Sequence, residues 1–93
     1  MKAVRNGTVV AESDDTVMFD GVYYFSEQSI NTSTITVSSR VFHCPKRGYG
    51  VYCDLSSSGK EKVNAAVYFA HPYPEARAIT GRLCFLYGVE IME

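Results

Sequence analysis

Three groups of side chains in this sequence have types and spacings that suit chemistry. The first is a compact basic run, Arg40, His43, Lys46 and Arg47, followed closely by Gly48 and Gly50. On a loop, guanidinium and ammonium groups backed by glycine amides can hold a phosphate or a carboxylate. The plainer alternative is a charged loop that keeps the fold in solution. The second is the thiol of Cys44 beside His43. Neighbours on a strand face opposite ways, so this pair is not a nucleophile–base dyad. A reactive thiolate also needs exposure and a positive environment, and the basic run supplies some of the latter. Otherwise Cys44 is a packed structural thiol near an edge histidine.

The third group is tyrosine, at positions 23, 24, 49, 52, 68, 73 and 87. Alternation puts Tyr23 and Phe25 on one strand face and Tyr24 on the other. Aromatics that meet between sheet faces can line a small-molecule pocket, or can simply be cross-strand packing. Tyr24, Tyr52, Tyr68 and Glu75 are the expected pocket residues, with Arg5 and Lys46 as polar rim and His43 and Arg47 on the anion-binding loop. His71, beside Pro72, is expected to order its corner by a backbone hydrogen bond rather than to bind metal, because no second ligand lies at a useful spacing.

The elements that must position these groups are mostly short strands. Residues 2–5 lead into Asn6-Gly7, a strong hairpin signal, and residues 8–11 return. Ser13, Asp14 and Asp15 mark the next turn, residues 16–19 a third strand, Asp20-Gly21 a second tight turn, and residues 22–25 an aromatic fourth strand. Ser26, Glu27 and Gln28 suit a single helical turn at most. Residues 32–42 are rich in threonine, valine and serine and read as extended, with Ile35, Val37, Ser39 and Val41 on one face. Pro45 and Gly48 bracket a loop. Residues 49–55 and 61–69 form a long hairpin closed by Ser56-Ser57-Ser58-Gly59. The corner His71-Pro72-Tyr73-Pro74 is stiff, and Pro74 with Glu75 suits the start of a helix of about two turns whose Ala76 and Ile79 face inward. Gly81 stops it. Residues 82–87 and 89–92 close the sheet, as a hairpin bent at Gly88.

Composition narrows the function classes. Ninety-three residues allow one domain, residues 1–93, with little stability to spare. Net charge is −1, so nothing global draws the chain to nucleic acid or an anionic membrane. No apolar run approaches the ~20 residues of a membrane span. Cys44, Cys53 and Cys84 are an odd set with no C-x-x-C pair, which reads as reduced thiols in a reducing compartment. A cytoplasmic location is expected. Cys84 lies in the apolar pattern Arg-Leu-Cys-Phe-Leu and reads as core, whereas Cys53 alternates with Tyr52 and can face solvent.

The ordered set Asn64-Ala65-Ala66, Pro72, Pro74-Glu75-Ala76, Ile79, Gly81 and Phe85 resembles the closing signature of the domain of unknown function 427 family, labelled a nucleotidyltransferase in some collections. Asn6-Gly7, Ala11-Glu12-Ser13, Tyr23-Tyr24-Phe25, Ser29-Ile30 and Cys44-Pro45 with Gly48 fall in matching order upstream. The resemblance spans nearly the whole chain. It implies a small, irregular, mainly β architecture with one short helix, barrel-like or tent-like and similar to methionine sulfoxide reductase B and the Mss4 proteins. It also implies tryptophan where this chain has Arg5 and Val67, an aromatic at Lys46, and proline at Ser26 and Ala70. A pocket lined by those positions is then expected to be smaller or more polar. Nucleotidyl transfer would need acids converging on a metal. The acidic group Glu12, Asp14, Asp15 and Asp20 is instead spread over turns.

The reading that follows is a mainly β domain that binds a small molecule or anion, without cofactor, metal, nucleic acid or membrane. The alternatives are a small enzyme using Cys44 or Glu75, and an interaction module that forms a homodimer through an exposed strand edge.

Overall fold

The computed structural model describes residues 1–57, 59–86 and 88–93. Ser58, in the expected Ser56-Ser57-Ser58-Gly59 turn, and Tyr87 lie outside the described residues. Nine strands among the described residues form two antiparallel sheets. β1 (Lys2–Arg5), β2 (Thr8–Glu12) and β9 (Glu90–Met92) make a three-stranded sheet in the order β2-β1-β9. β3 (Val17–Phe19), β4 (Val22–Ser26), β5 (Ile35–Cys44), β6 (Gly48–Ser57), β7 (Lys60–Phe69) and β8 (Arg82–Phe85) make a six-stranded sheet ordered β3-β4-β8-β7-β6-β5. The chain is mainly β, as expected, but these strands do not close into a barrel. At both short hairpins the two central residues have positive φ: Asn6 and Gly7 at 51° and 77°, Asp20 and Gly21 at 53° and 78°. That is the twist a two-residue hairpin needs.

Three local expectations are corrected. Residues 32–34 are not extended. Asn31 accepts a hydrogen bond from Ser33 N–H and turns Thr32–Thr34 into a 3₁₀ segment, so β5 begins only at Ile35. A local side-chain cap has overridden β propensity there. The Pro74–Ile79 segment is 3₁₀ rather than a regular two-turn helix, with Ala76 off helical geometry at φ −112°, ψ 22°. Pro74, Glu75 and the inward Ala76 and Ile79 sit as expected, but six residues are too few to carry an α-helix without strong local support. Lastly, β8 and β9 are not a hairpin. Leu86 N–H still bonds Ala65 O on β7, and the chain then leaves to pair Ala3 with Ile91.

Burial explains the layering. On one face of the large sheet, Phe25, Cys53, Leu55, Ala66 and Leu83 pack with Ala3, Val10 and Ala11 of the small sheet. On the other face, Tyr24, Val67, Phe69 and Cys84 pack beneath Ala76 and Ile79. Gly50 lies under this second layer, where an added Cβ would stand 2.5 Å from Val67 Cγ1 and 3.0 Å from Phe69 Cε1.

Strand β6, next to the β5 edge, runs between two bulged neighbours. Between Val37 and Val41, β5 takes four residue steps where β6 takes two, and between Lys62 and Ala66, β7 does the same. One cluster ties the bulges together. Asp54 Oδ1 accepts from Arg40 Nη2 at 2.7 Å and from Asn64 N–H at 2.9 Å, while Arg40 Nε donates to Asn64 Oδ1 at 2.7 Å. Asn64 itself has φ 56°, a left-handed conformation that asparagine tolerates better than most residues.

Two outcomes follow for stability. Gly50→Ala should cost about 1–3 kcal/mol in urea unfolding, the usual penalty of overpacking. Asp54 is held below the ordinary carboxylate range, first by Asn64 N–H and also by Arg40, against an opposing effect of burial. A depressed folded-state pKa adds stability above the unfolded pKa, and that stability is lost as pH falls through the folded value. Asp54→Asn should therefore be less stable than the parent at neutral pH. The gap between their unfolding midpoints should close as the pH drops below the ordinary carboxylate range.

Candidate functional site

The turn between β5 and β6, Pro45-Lys46-Arg47, organises the site. Gly48, at φ 102°, lets the chain re-enter β6 and leaves room for the Tyr73 ring, whose Cδ1 would lie 3.2 Å from a Cβ there. Tyr73 N–H donates to Arg47 O at 2.8 Å, and its hydroxyl shares a hydrogen bond with His43 Nε2 at 3.3 Å. The proline corner is thus fastened to the basic turn. Tyr73 holds it, whereas His71 makes no hydrogen bond among the described residues, contrary to expectation. His43 also stacks on Tyr49 at 4.6 Å between ring centroids.

Arg47 points the other way, into the molecule. Its guanidinium lies 5.5 Å over the Phe19 ring, Nη2 donates to Asp20 Oδ2 at 3.2 Å, and Nη1 donates to Cys44 Sγ at 3.2 Å. Its side chain is 14% exposed, against 71% for Lys46, whose Nζ lies 3.6 Å from the same Asp20 oxygen. Arg47 Nε is buried and has no hydrogen-bond partner. Arg47 also lines a cavity of about 170 Å³, together with Tyr24, Phe42, Val67, Phe69 and Cys84. Burial and the neighbouring Cys84 raise the Tyr24 phenol pKa, so the phenol stays protonated.

The three thiols are in different states. Burial pushes Cys53 up to about 11, helped by the charges of Asp54 and Cys84, and burial also raises Cys84. For Cys44, burial is outweighed by the Arg47 guanidinium and the N–H dipoles of Lys46 and Arg47, and the thiol is lowered. Cys84 is core as expected. Cys53 is not solvent-facing: it is 1% exposed and belongs to the core between the sheets.

The residues expected to share one pocket are divided by the fold. Tyr24 and Arg47 meet at the cavity, with Lys46 and His43 on the adjoining turn. Tyr52 packs edge-on to Phe42 at 5.6 Å, at the margin of the same layer. Tyr68 faces the opposite side of the sheet, because it is one residue from Val67 on β7. Arg5 is not a rim residue. It is buried and donates to Ser57 Oγ at 3.1 Å and Lys60 O at 2.9 Å, fastening the small sheet to the β6–β7 end. Glu75 is exposed outside the cavity. Val67, where tryptophan was implied, is one wall of this cavity. Asp20, Phe19 and Cys84 join the site although nothing local in the sequence marks them. Two of the four acids named above are engaged by arginines: Asp15 with Arg82 at 3.2 Å, and Asp20 with Arg47.

The family model described as domain of unknown function (DUF427) matches residues 1–92. The chain belongs to this family. No curated protein matches it. In this DUF427 domain the signature segment around Asn64 and the proline corner have separate structural duties. Asn64 closes the bulge clamp, and Tyr73 seats the corner on the Arg47 turn.

The electrostatics of the turn predict an order of thiol reactivity. At pH 7 iodoacetamide should alkylate Cys44 about tenfold or more faster than Cys53 or Cys84, because the thiolate is the nucleophile. Arg47→Met should move the pH midpoint of Cys44 alkylation upward, as followed by peptide mass spectrometry. Equal rates for the three thiols would contradict this assignment.

Proposed function

We propose that this domain binds a small organic anion with one apolar ring or short chain in the cavity beside Arg47. The observation that supports the reading is Arg47 itself, a largely buried cation lining a mostly apolar cavity, with its buried Nε left unpartnered. A buried donor left unpaired costs about 1–3 kcal/mol, and an acceptor on a ligand recovers it. Charge agrees. Two cations, Lys46 and Arg47, share the single carboxylate of Asp20, which leaves the turn positive. Size agrees as well: cavities of about 150 Å³ accommodate benzene, so about 170 Å³ suits one ring with a carboxylate directed at Arg47. Tyr24, Phe42 and Phe69 supply aromatic walls, and the protonated Tyr24 hydroxyl can donate a further hydrogen bond.

Benzoate is the direct probe. It should raise the Tm and shift NMR signals of Val67 and Val22, whereas benzyl alcohol should do so far less. Val67→Phe, which fills the cavity without touching the charges, should abolish the effect while the protein remains folded. Benzoate binding that survives Val67→Phe, or is matched by the neutral alcohol, would place the ligand elsewhere.

A second reading has support of its own. The Cys44 sulfur, 8% exposed as a residue but held by the Arg47 cation at 3.2 Å, has the positive partner that suits a nucleophile in an enzyme of unrecorded type. Its test is whether Cys44→Ser retains turnover in any reaction demonstrated for the protein. The three unpaired thiols support a reducing compartment such as the cytoplasm. Among the described residues no helix is long and apolar enough to cross a membrane.

A further inference from the structure

The opposite face of the large sheet carries a second cavity, independent of Arg47. It holds about 200 Å³ between the 27–34 segment and strands β5 to β8, and its walls are Ile30, Ile35, Val37, Cys53 and Leu83. Its polar lining residues are Glu27, Thr32 and Tyr68. The backbone fixes this arrangement. Ile30 bridges to Ala11, and Asn31 N–H donates to Val10 O at 2.8 Å, so the segment after β4 is anchored on the small sheet. Glu27 follows Ser26, which pairs with Arg82, while Tyr68 pairs with Leu83. Glu27 and Tyr68 therefore line one cavity. The Glu27 charge acts on Tyr68: together with burial, the larger effect, it raises the phenol pKa.

Among the described residues Glu27 has no ion pair and its side chain makes no hydrogen bond. The nearby cation of the paired strand, Arg82, is already bound to Asp15 Oδ2 at 3.2 Å and to Asp15 O at 2.6 Å. An apolar cavity with one unpaired carboxylate and one protonated hydroxyl in its lining is complementary to a single cation on an apolar body. We infer that this cavity is a binding site for a small primary amine carrying one aromatic ring or a short branched chain. The ammonium donates to the Glu27 carboxylate and the Tyr68 hydroxyl oxygen, and the apolar part lies on Ile30, Ile35, Val37 and Leu83. The two faces of one sheet then select ligands of opposite charge.

The test uses the full chain, with 2-phenylethylammonium as probe and two analogues of similar reach, neutral 2-phenylethanol and anionic 3-phenylpropanoate. Methyl NMR titration should show saturable shifts for Ile30, Ile35, Val37 and Leu83 with the amine. Affinity should be about tenfold weaker for the alcohol and weaker still for the anion, since one charge-assisted hydrogen bond is lost. Glu27→Gln, at an exposed position that leaves the fold intact, should reduce amine affinity by a similar factor, and Tyr68→Phe by a smaller one. Equal binding of the alcohol, unchanged affinity in Glu27→Gln, or no saturable shift of these methyls would each overturn the proposal.

Discussion

A six-stranded sheet in a chain this short must bury both of its faces, and most of the molecule is arranged by that demand. One face is covered by the three-stranded sheet that the chain makes from its two ends. The other has no second sheet to meet. It is covered by six residues of 3₁₀ segment and by large side chains, Tyr24, Phe42 and Phe69, whose rings meet edge to face. Gly50 sets how close this cover can come. Because Val67 and Phe69 occupy the place of a Cβ, the aromatic layer settles onto the backbone of β6. The layer is thin, and the basic turn at its border is drawn into it.

That border gives the candidate site its character. A guanidinium beside an apolar layer is favourable only if its donors find partners. Asp20 and the Cys44 sulfur satisfy two of the three nitrogens of Arg47, and the Phe19 ring accepts its face. The third, Nε, is buried without a partner. The same guanidinium also lowers the Cys44 thiol, so one largely buried cation sets the electrostatics of the whole turn. The sheet separates this positive site from Glu27 and Tyr68 on its far face, and the apolar interior between them keeps the two sets of charges from neutralising each other.

The clamp of Arg40, Asp54 and Asn64 shows a different kind of dependence. It belongs to neither apolar core, yet it joins the two bulges that flank β6. In the sequence, Arg40 looked like one more member of a basic loop, and Asn64 like part of a family signature. Neither position carries a local cue for the partnership, because the three residues are brought together by strand register alone. Tyr73 is similar: its proline neighbours announce a stiff corner, but the turn on which it docks lies far away in the chain.

The strands, the two tight hairpins and the inward pair Ala76 and Ile79 were legible from the sequence, because side-chain alternation, positive-φ residues and proline act on the backbone over a few residues. The 3₁₀ cap at Asn31 is also local, but it was hidden by the β-branched residues that follow. What only the tertiary structure decided is which charged groups are buried and with whom. Arg5, expected at a rim, became a fastening between sheets; Arg47, expected on an open loop, became the buried donor of the site. Tyr24 and Tyr68, expected together, stand on opposite faces. Those outcomes depend on register, sheet order and the packing of residues far apart in sequence, and long-range contact is the one quantity that local propensity does not contain.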